Sequence, residues 1–282
     1  MAKEHFEFDF EEWMAEELIH RDDWKEWYHA MCEILPLWEV VTIERVAGFI
    51  AQCGHESGGF RVLSENLNYS AAALNKIFPK YFRRAGRDAQ EYHRQPEKIA
   101  NVIYANRMDN GDTDSGDGWR FRGGGILQLT GRYNYTHFGR AVDKTADEAV
   151  DYVRTKKGAL DSACWFWDEN NINKYCDNMD IVGMTKRING GTIGLEDRKK
   201  HYIHAIDVLG GDYEEPDVNY NQTIRKGSRG PLVAEVQEKL NINPADGIFG
   251  PGTESKIIDW QGDNGLVADG IVGPKTIKKL LG

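Results

Sequence analysis

The feature that most constrains this chain is an apolar helix with an acid written into its last turn. From Val46 to Phe60, residues Val46, Phe49, Ile50 and Cys53 fall at the i, i+3, i+4, i+7 spacing of a buried helix face. Such a stripe needs a packed core to lie against, and 40% hydrophobic residues with 8 Trp, 12 Tyr and 11 Phe can supply one. Glu56 stands three residues past Cys53, so the spacing predicts a carboxyl pointing inward just before Gly58-Gly59 stops the helix. A half-buried carboxyl tends to keep its proton, because desolvation disfavours the charged form. Nine residues on, Glu65 sits beside Asn66 and Asn68, a setting that can hydrate and hydrogen-bond an ionised carboxylate. Two carboxyls whose surroundings pull their pKa values apart are what glycoside hydrolysis needs, one as acid and one as base. The same residues also suit a helix-terminal ion pair and a solvated loop acid, and spacing leaves both readings open.

At 282 residues the chain has room for one large domain and a small one. Helical periodicity runs through Phe10–Trp27, Ile43–Glu56, Ala71–Phe82 behind a capping Ser70, Thr145–Val153, Gly158–Asn170, Asp180–Ile188 and Leu195–Leu209. Strand-like alternation is scarce, so the expected class is mainly α with long irregular connections. The turn-forming stretch from Gly210 to Gln222 lacks periodicity and reads as a linker. This gives a large domain over 1–212, a linker over 213–224 and a small domain over 225–282. The small domain holds an internal repeat: Asp246-Gly247-Ile248-Phe249-Gly250-Pro251-Gly252-Thr253 returns 23 residues later as Asp269-Gly270-Ile271-Val272-Gly273-Pro274-Lys275-Thr276. Each copy places a Gly/Pro turn before a Thr able to cap a helix, and an earlier amphipathic stretch carries Leu232, Val236 and Leu240. Three short helices can bury one core in about 60 residues.

Composition excludes several classes. No run of about 18 apolar residues is present, so no membrane span is expected. The acidic start, Met1 to Glu12, lacks the basic and apolar regions of a signal peptide, which points to synthesis in the cytoplasm. Cys32, Cys53, Cys164 and Cys176 show no metal-ligand spacing and read as buried thiols of a reducing compartment. Net charge is −10, and residues 225–282 carry eight Lys/Arg against seven Asp/Glu, which leaves −11 on everything before Arg225. An acidic body does not offer nucleic acid the basic stripe it needs. A monomer is the default expectation.

A second dense segment runs from Gly116 to Tyr135 and contains Arg122-Gly123-Gly124-Gly125-Ile126-Leu127-Gln128-Leu129-Thr130. Its glycines let backbone approach a ligand closely, and Gln128 and Thr130 come next on a short extended run. A phosphate loop is the alternative, but the Gly-Lys-Ser/Thr ending of such loops is missing. With His55-Glu56-Ser57-Gly58-Gly59-Phe60, Glu65-Asn66-Leu67-Asn68-Tyr69-Ser70 and Arg187-Ile188-Asn189-Gly190-Gly191-Thr192, this segment closely resembles glycoside hydrolase family 19. More narrowly it is similar to the branch found in bacteriophage endolysins. The resemblance covers about residues 40–210 and implies a lysozyme-like, family 19 chitinase-like catalytic domain. The repeat region resembles the three-helix peptidoglycan-binding domain often fused to cell-wall hydrolases.

The resemblance carries roles over residue by residue. It implies Glu56 as general acid, Glu65 as general base and Thr130 as the hydroxyl that helps position the attacking water. Gln128, Asn134 and Asn189 match positions lining the sugar cleft. Tyr104 and Arg107 match a segment that either binds substrate or braces the cleft. The implied mechanism is inverting, with carboxyls roughly 6.5–9.5 Å apart, and uses no metal or other cofactor. One departure stands out: the family usually reads Arg-Gly-Arg-Gly where this chain has Arg122-Gly123-Gly124-Gly125, so a bidentate donor is lost at Gly124.

The expected function is that of an endolysin. It would cut the β-1,4 bonds of bacterial peptidoglycan in the muramidase manner, and would reach the wall from the host cytoplasm after release. A chitinase is the nearest rival, since chitin shares the linkage, and the C-terminal domain favours peptidoglycan. A zinc hydrolase fits poorly, because the residue three after Glu56 is Gly59 and the two-His helix pattern is absent. His201 and His204 come after Arg198-Lys199-Lys200 and read as a solvated face. A non-catalytic virion wall-binding protein is the remaining alternative. Retention of Glu56, Glu65, Gln128 and Thr130 together argues against it.

Overall fold

The computed structural model describes residues 6–213 and 220–281. Half of the expected linker at 213–224, residues 214–219, lies outside that set, as do the first five residues of the acidic N-terminus. Of the described residues, those within Met1–Asn173 and Lys200–Gly211 form one compact unit, and those within Lys174–Lys199 and Asp212–Gly282 form a second.

The first unit is helical. The periodic stretch Phe10–Trp27 is two helices rather than one, α1 (Glu12–Leu18) and α2 (Trp24–Ile34). Between them Arg21 donates to Asp23 through Nε at 2.6 Å and Nη2 at 3.1 Å, closing a turn. Trp27 is buried, Trp24 and Trp38 are half-buried, and Trp13 is 52% exposed. Of these four, Trp13 therefore stands outside the packed interior.

Next comes α3 (Ile43–Ser57), whose N-cap Thr42 accepts from the Arg45 amide at 3.3 Å. Every residue from Val46 to Cys53 is buried, so this helix is enclosed on all sides. It ends at Gly58, which takes the left-handed conformation at φ 61°. Its buried stripe continues through Ser57 and not through Glu56, which is exposed. At about 100° per residue, Ser57 returns to within roughly 20° of Val46, whereas Glu56 lies about 80° away. Ser57 fills that inner position, donating to the Cys53 carbonyl at 2.7 Å and accepting from the Phe60 amide at 2.8 Å. The inward, half-buried Glu56 read from the spacing is thus corrected.

Six more helices complete this unit's main run: α4 (Ala71–Ile77), α5 (Pro96–Ile103), α6 (Asp117–Arg120), α7 (Arg132–Ala141), α8 (Ala146–Tyr152) and α9 (Lys156–Glu169). Two apolar clusters organise them. Leu67, Leu74, Phe82, Ile99 and Ile103 form one, with Tyr104 and Trp119 packed on its edge. Phe121, Tyr135, Phe138, Val150 and Val153 form the other, with Leu129 at its margin. The loops bearing Glu65 and the glycine run lie along these clusters. Extended pairing in this unit is limited, among the described residues, to isolated bridges between Ser64 and Gly124 and between Gly124 and Leu129. Cys53 and Cys164 are buried and free of disulfides. Among the described residues, no helix is long and apolar enough to cross a membrane.

The chain passes to the second unit within α10 (Asn173–Cys176) and returns within α12 (Leu195–Val208). The second unit contains α11 (Ile181–Asn189), α13 (Pro231–Lys239), α14 (Pro251–Asp263) and α15 (Pro274–Leu280). The stretch Lys174–Lys199 therefore groups with the C-terminal residues, although the sequence shows no boundary before 212. Lys186 of α11 donates to the Asp246 carbonyl, one of the contacts that tie it there. Turn-forming composition marks linkers, but it does not reveal which distant helix a segment packs on.

The repeat in this unit is built around two buried glutamines. Gln237 Nε2 donates to Asp246 Oδ1, the Ile248 carbonyl and Thr253 Oγ1 at 2.8–3.0 Å, while its Oε1 accepts from the Gly247 amide at 2.7 Å. Gln261 does the same with Asp269, Ile271, Thr276 and Gly270 at 2.9–3.2 Å. The repeated Asp, Gly and Thr thus serve to satisfy a core amide from the preceding helix. Replacing Gln261 with Ala leaves the Gly270 amide buried without its partner and should cost about 1–3 kcal/mol. A urea titration that tracks the second unit's unfolding checks this, and an unchanged midpoint would refute it.

Candidate active site

Glu65 is half-buried and its carboxylate is held on three contacts. Tyr104 Oη donates to Oε1 at 2.8 Å and to Oε2 at 2.9 Å, and the Gly123 amide donates to Oε2 at 3.2 Å. The backbone is fixed too, because the Glu65 amide donates to the Gly123 carbonyl at 2.9 Å and the Gly125 amide to the Leu63 carbonyl at 3.0 Å. Burial first, then the Glu65 charge and hydrogen bond, push the Tyr104 phenol above its ordinary pKa. It therefore remains a donor at neutral pH. Tyr104→Phe removes one charge-assisted bond and should lower turnover by about tenfold without unfolding the chain. Initial rates together with a melting curve check this; unaltered rates would show that the phenol has no positioning role.

The glycine run lets the chain pass close beneath this carboxylate. A Cβ on Gly123 would stand 2.7 Å from Gln128 Oε1 and 3.1 Å from Glu65 Cβ. Gln128 and Glu65 therefore flank one point on the backbone, which places the expected cleft residue beside the expected base. Gln128 itself adopts φ 54°, a left-handed conformation costly for a residue with a side chain. Two bonds hold it there: Gln128 Nε2 donates to the Gly125 carbonyl at 2.9 Å, and Thr130 Oγ1 donates to the Gln128 carbonyl at 2.8 Å. Asn134 Nδ2 continues the chain by donating to the Thr130 carbonyl at 2.8 Å. With the Thr130 proton committed to the loop, its hydroxyl oxygen is left as an acceptor.

At Gly124 the missing family arginine has a steric explanation. A Cβ there would lie 2.4 Å from Tyr135 Oη and 2.9 Å from Val153 Cγ2. The Tyr135 phenol takes that space, donating to the Arg122 carbonyl at 3.0 Å, and burial pushes its pKa up to about 12. Arg122 lies over the Trp119 ring, 3.6 Å from the ring centroid.

The remaining expected residues are placed differently. Arg107 is exposed and donates to Tyr81 Oη at 2.9 Å and to the Ile103 carbonyl at 3.1 Å. Glu56 occupies the last turn of α3 on the exposed side. Asn189 belongs to the second unit and closes a turn there, donating to the Ile193 carbonyl at 3.1 Å and accepting from the Gly191 amide at 2.8 Å.

Sequence reasoning missed a supporting network. Buried Asn110 donates to the Tyr104 carbonyl at 3.0 Å and accepts from the Arg132 amide at 2.8 Å. The Arg132 guanidinium pairs with buried Asp117, which also accepts from the Gly111 amide at 2.8 Å. Burial opposes the Asp117 charge, but the bonds from Arg132 and Gly111 outweigh it and hold its pKa below the usual carboxylate value. This network joins the Tyr104 turn to the start of α7. Its only sequence signal was polar residues scattered across two loops, which carries no periodicity.

A carboxylate oriented by a phenol and an amide, beside a Gln-Thr-Asn chain, has the equipment of a hydrolase that works by acid/base chemistry. Known proteins point the same way. A Haemophilus influenzae protein described as "Glycosyl hydrolase family 19 domain-containing protein" is 44% identical over 166 residues, spanning 59% of this chain and 80% of that protein. This chain belongs to glycosyl hydrolase family 19, and it is a glycosidase. Residues 229–280 match the family described as "Putative peptidoglycan binding domain". The zinc D-Ala-D-Ala carboxypeptidase of Streptomyces albus G is 35% identical over 82 residues, 27% of this chain and 30% of that enzyme. Chitinase C from Streptomyces griseus superposes with a TM-score of 0.49 at 16% identity, over 71% of this chain and 92% of that structure.

Proposed function

We propose that this protein hydrolyses the β-1,4 glycosidic bonds of bacterial peptidoglycan, in the muramidase manner, as the endolysin of a bacteriophage. The observation that carries the reading is the union of a family 19 glycosidase with a peptidoglycan-binding domain in one chain. In the proposed step, Glu56 gives a proton to the leaving glycosidic oxygen while Glu65 takes one from a water. That water attacks the opposite face of the sugar, which inverts the anomeric centre. The Thr130 hydroxyl oxygen accepts the water's second hydrogen, and Gln128 and Asn134 line the sugar path.

The C-terminal domain acts through effective concentration, keeping the glycosidase near an insoluble polymer even when each contact is weak. Synthesis in the host cytoplasm with later release to the wall completes this reading. Removing Arg225–Gly282 should reduce activity on intact walls about 10²-fold while altering activity on soluble wall fragments far less. Turbidity loss of cell walls, compared with reducing-end release from fragments, makes the test. Equal losses on both substrates would contradict tethering.

A further inference from the structure

Next to the segment that leads into Glu65, the first unit has an open cavity of about 790 Å³ whose lining carries five cations against Asp23 and Glu26. In a chain of net charge −10 this local sign is reversed. Three of the cations are matched: Arg21 pairs with Asp23 at 2.6 Å, Lys156 with Asp23 at 2.9 Å and Glu26 at 2.5 Å, and Lys157 with Glu33 at 2.5 Å. Two are not. Arg61 donates only to the carbonyls of Gly58 and His20, at 3.0 and 3.4 Å. Arg154 donates through Nη1 to the Val150 carbonyl and lies against the Tyr135 phenol, with its Nε and Nη2 buried and, among the described residues, no carboxylate paired with it. Those two nitrogens form one edge of the guanidinium, the edge that grips a carboxylate in two parallel bonds. A guanidinium with no carboxylate beside it favours a ligand that brings one.

The cavity adjoins the reaction centre. Leu63 lines it and stands two residues before Glu65, on either side of Ser64, which bridges to Gly124 of the glycine run. Arg122, whose carbonyl accepts from Tyr135, has its pKa lowered by burial and then by the Arg154 charge, which places the Arg154 guanidinium near the glycine run.

We infer that Arg61 and Arg154, which both line this cavity without a carboxylate partner, form a subsite for a carboxylate on the peptide stem of the glycan strand. The inference rests on the peptidoglycan reading and deepens it, since chitin carries no such carboxylate. It makes the protein select peptide-bearing strands by charge at the site of cleavage, independently of the C-terminal domain.

The test compares soluble peptide-bearing glycan strands with the same strands after amidation of their carboxylates. For the full-length wild-type chain, amidation should lower kcat/KM about tenfold. Arg61→Gln and Arg154→Gln should each shrink that ratio toward one. Arg61, exposed and bonded only to backbone carbonyls, serves as the control should Arg154→Gln fail to fold. If wild type cleaves both substrates equally well, the inference is overturned while the peptidoglycan reading stands. Equal losses by the variants on both substrates overturn it too, and so does a phosphate ligand, which amidation leaves untouched. If wild type cleaves neither substrate, the peptidoglycan reading fails and the inference falls with it.

Discussion

Glu65→Gln is expected to lower turnover by roughly 10²–10⁴-fold with the fold intact. The substitution keeps the size of the side chain, and an amide oxygen in the place of Oε2 can still accept from Tyr104 and from the Gly123 amide, the donors that hold the wild-type carboxylate. What it removes is the ability to take a proton from water. Since Tyr104 is packed against the cluster of Leu67, Leu74 and Ile103, the surroundings should not collapse around the new amide. Initial rates on soluble peptidoglycan fragments, with unfolding curves for both proteins, measure the effect. Near-normal turnover would remove Glu65 from the role of base.

Glu56→Gln should cost a similar factor on natural substrate, roughly 10²–10⁴-fold, but with a different dependence on the leaving group. An acid is needed in proportion to the basicity of the departing oxygen. Aryl glycosides with good leaving groups should therefore recover most of the lost rate in Glu56→Gln and little of it in Glu65→Gln. This contrast separates the two roles even though both side chains are carboxyls. Stability should barely change, because Glu56 is exposed while Ser57 holds the inner position of the helix end. Equal rescue of the two variants would mean that the acid has been misassigned.

Much of the first unit was legible. The stripe of Val46, Phe49, Ile50 and Cys53 gave α3, and Gly58 ended it in the left-handed conformation. The error at Glu56 came from extending the stripe by three residues where the helix needed four, because 3.6 residues per turn makes each choice only approximate. The break between α1 and α2 was hidden since the apolar pattern runs across it, and only the Arg21–Asp23 turn interrupts the backbone. Glu65, Gln128, Thr130, Asn134 and Tyr104 were named from the resemblance, and the structure bonds Tyr104 to Glu65 and, separately, Thr130 to the Gln128 carbonyl and Asn134 to the Thr130 carbonyl. What sequence could not supply was the reason for Gly124, which lies in a Tyr135 phenol arriving from α7. The repeat of the second unit was plain as letters, but its meaning was not. Its Asp, Gly and Thr serve Gln237 and Gln261, which lie outside the repeated string and drew no attention.

The most direct test of the central claim is product analysis on isolated peptidoglycan. Wild-type protein and Glu65→Gln are incubated with purified wall, the products reduced with borohydride, and the new ends identified by mass spectrometry. The account predicts muramitol ends in the wild-type digest and none from Glu65→Gln. New glucosaminitol ends alone, or no new ends from peptidoglycan while N-acetylglucosamine oligomers are cleaved, would contradict it.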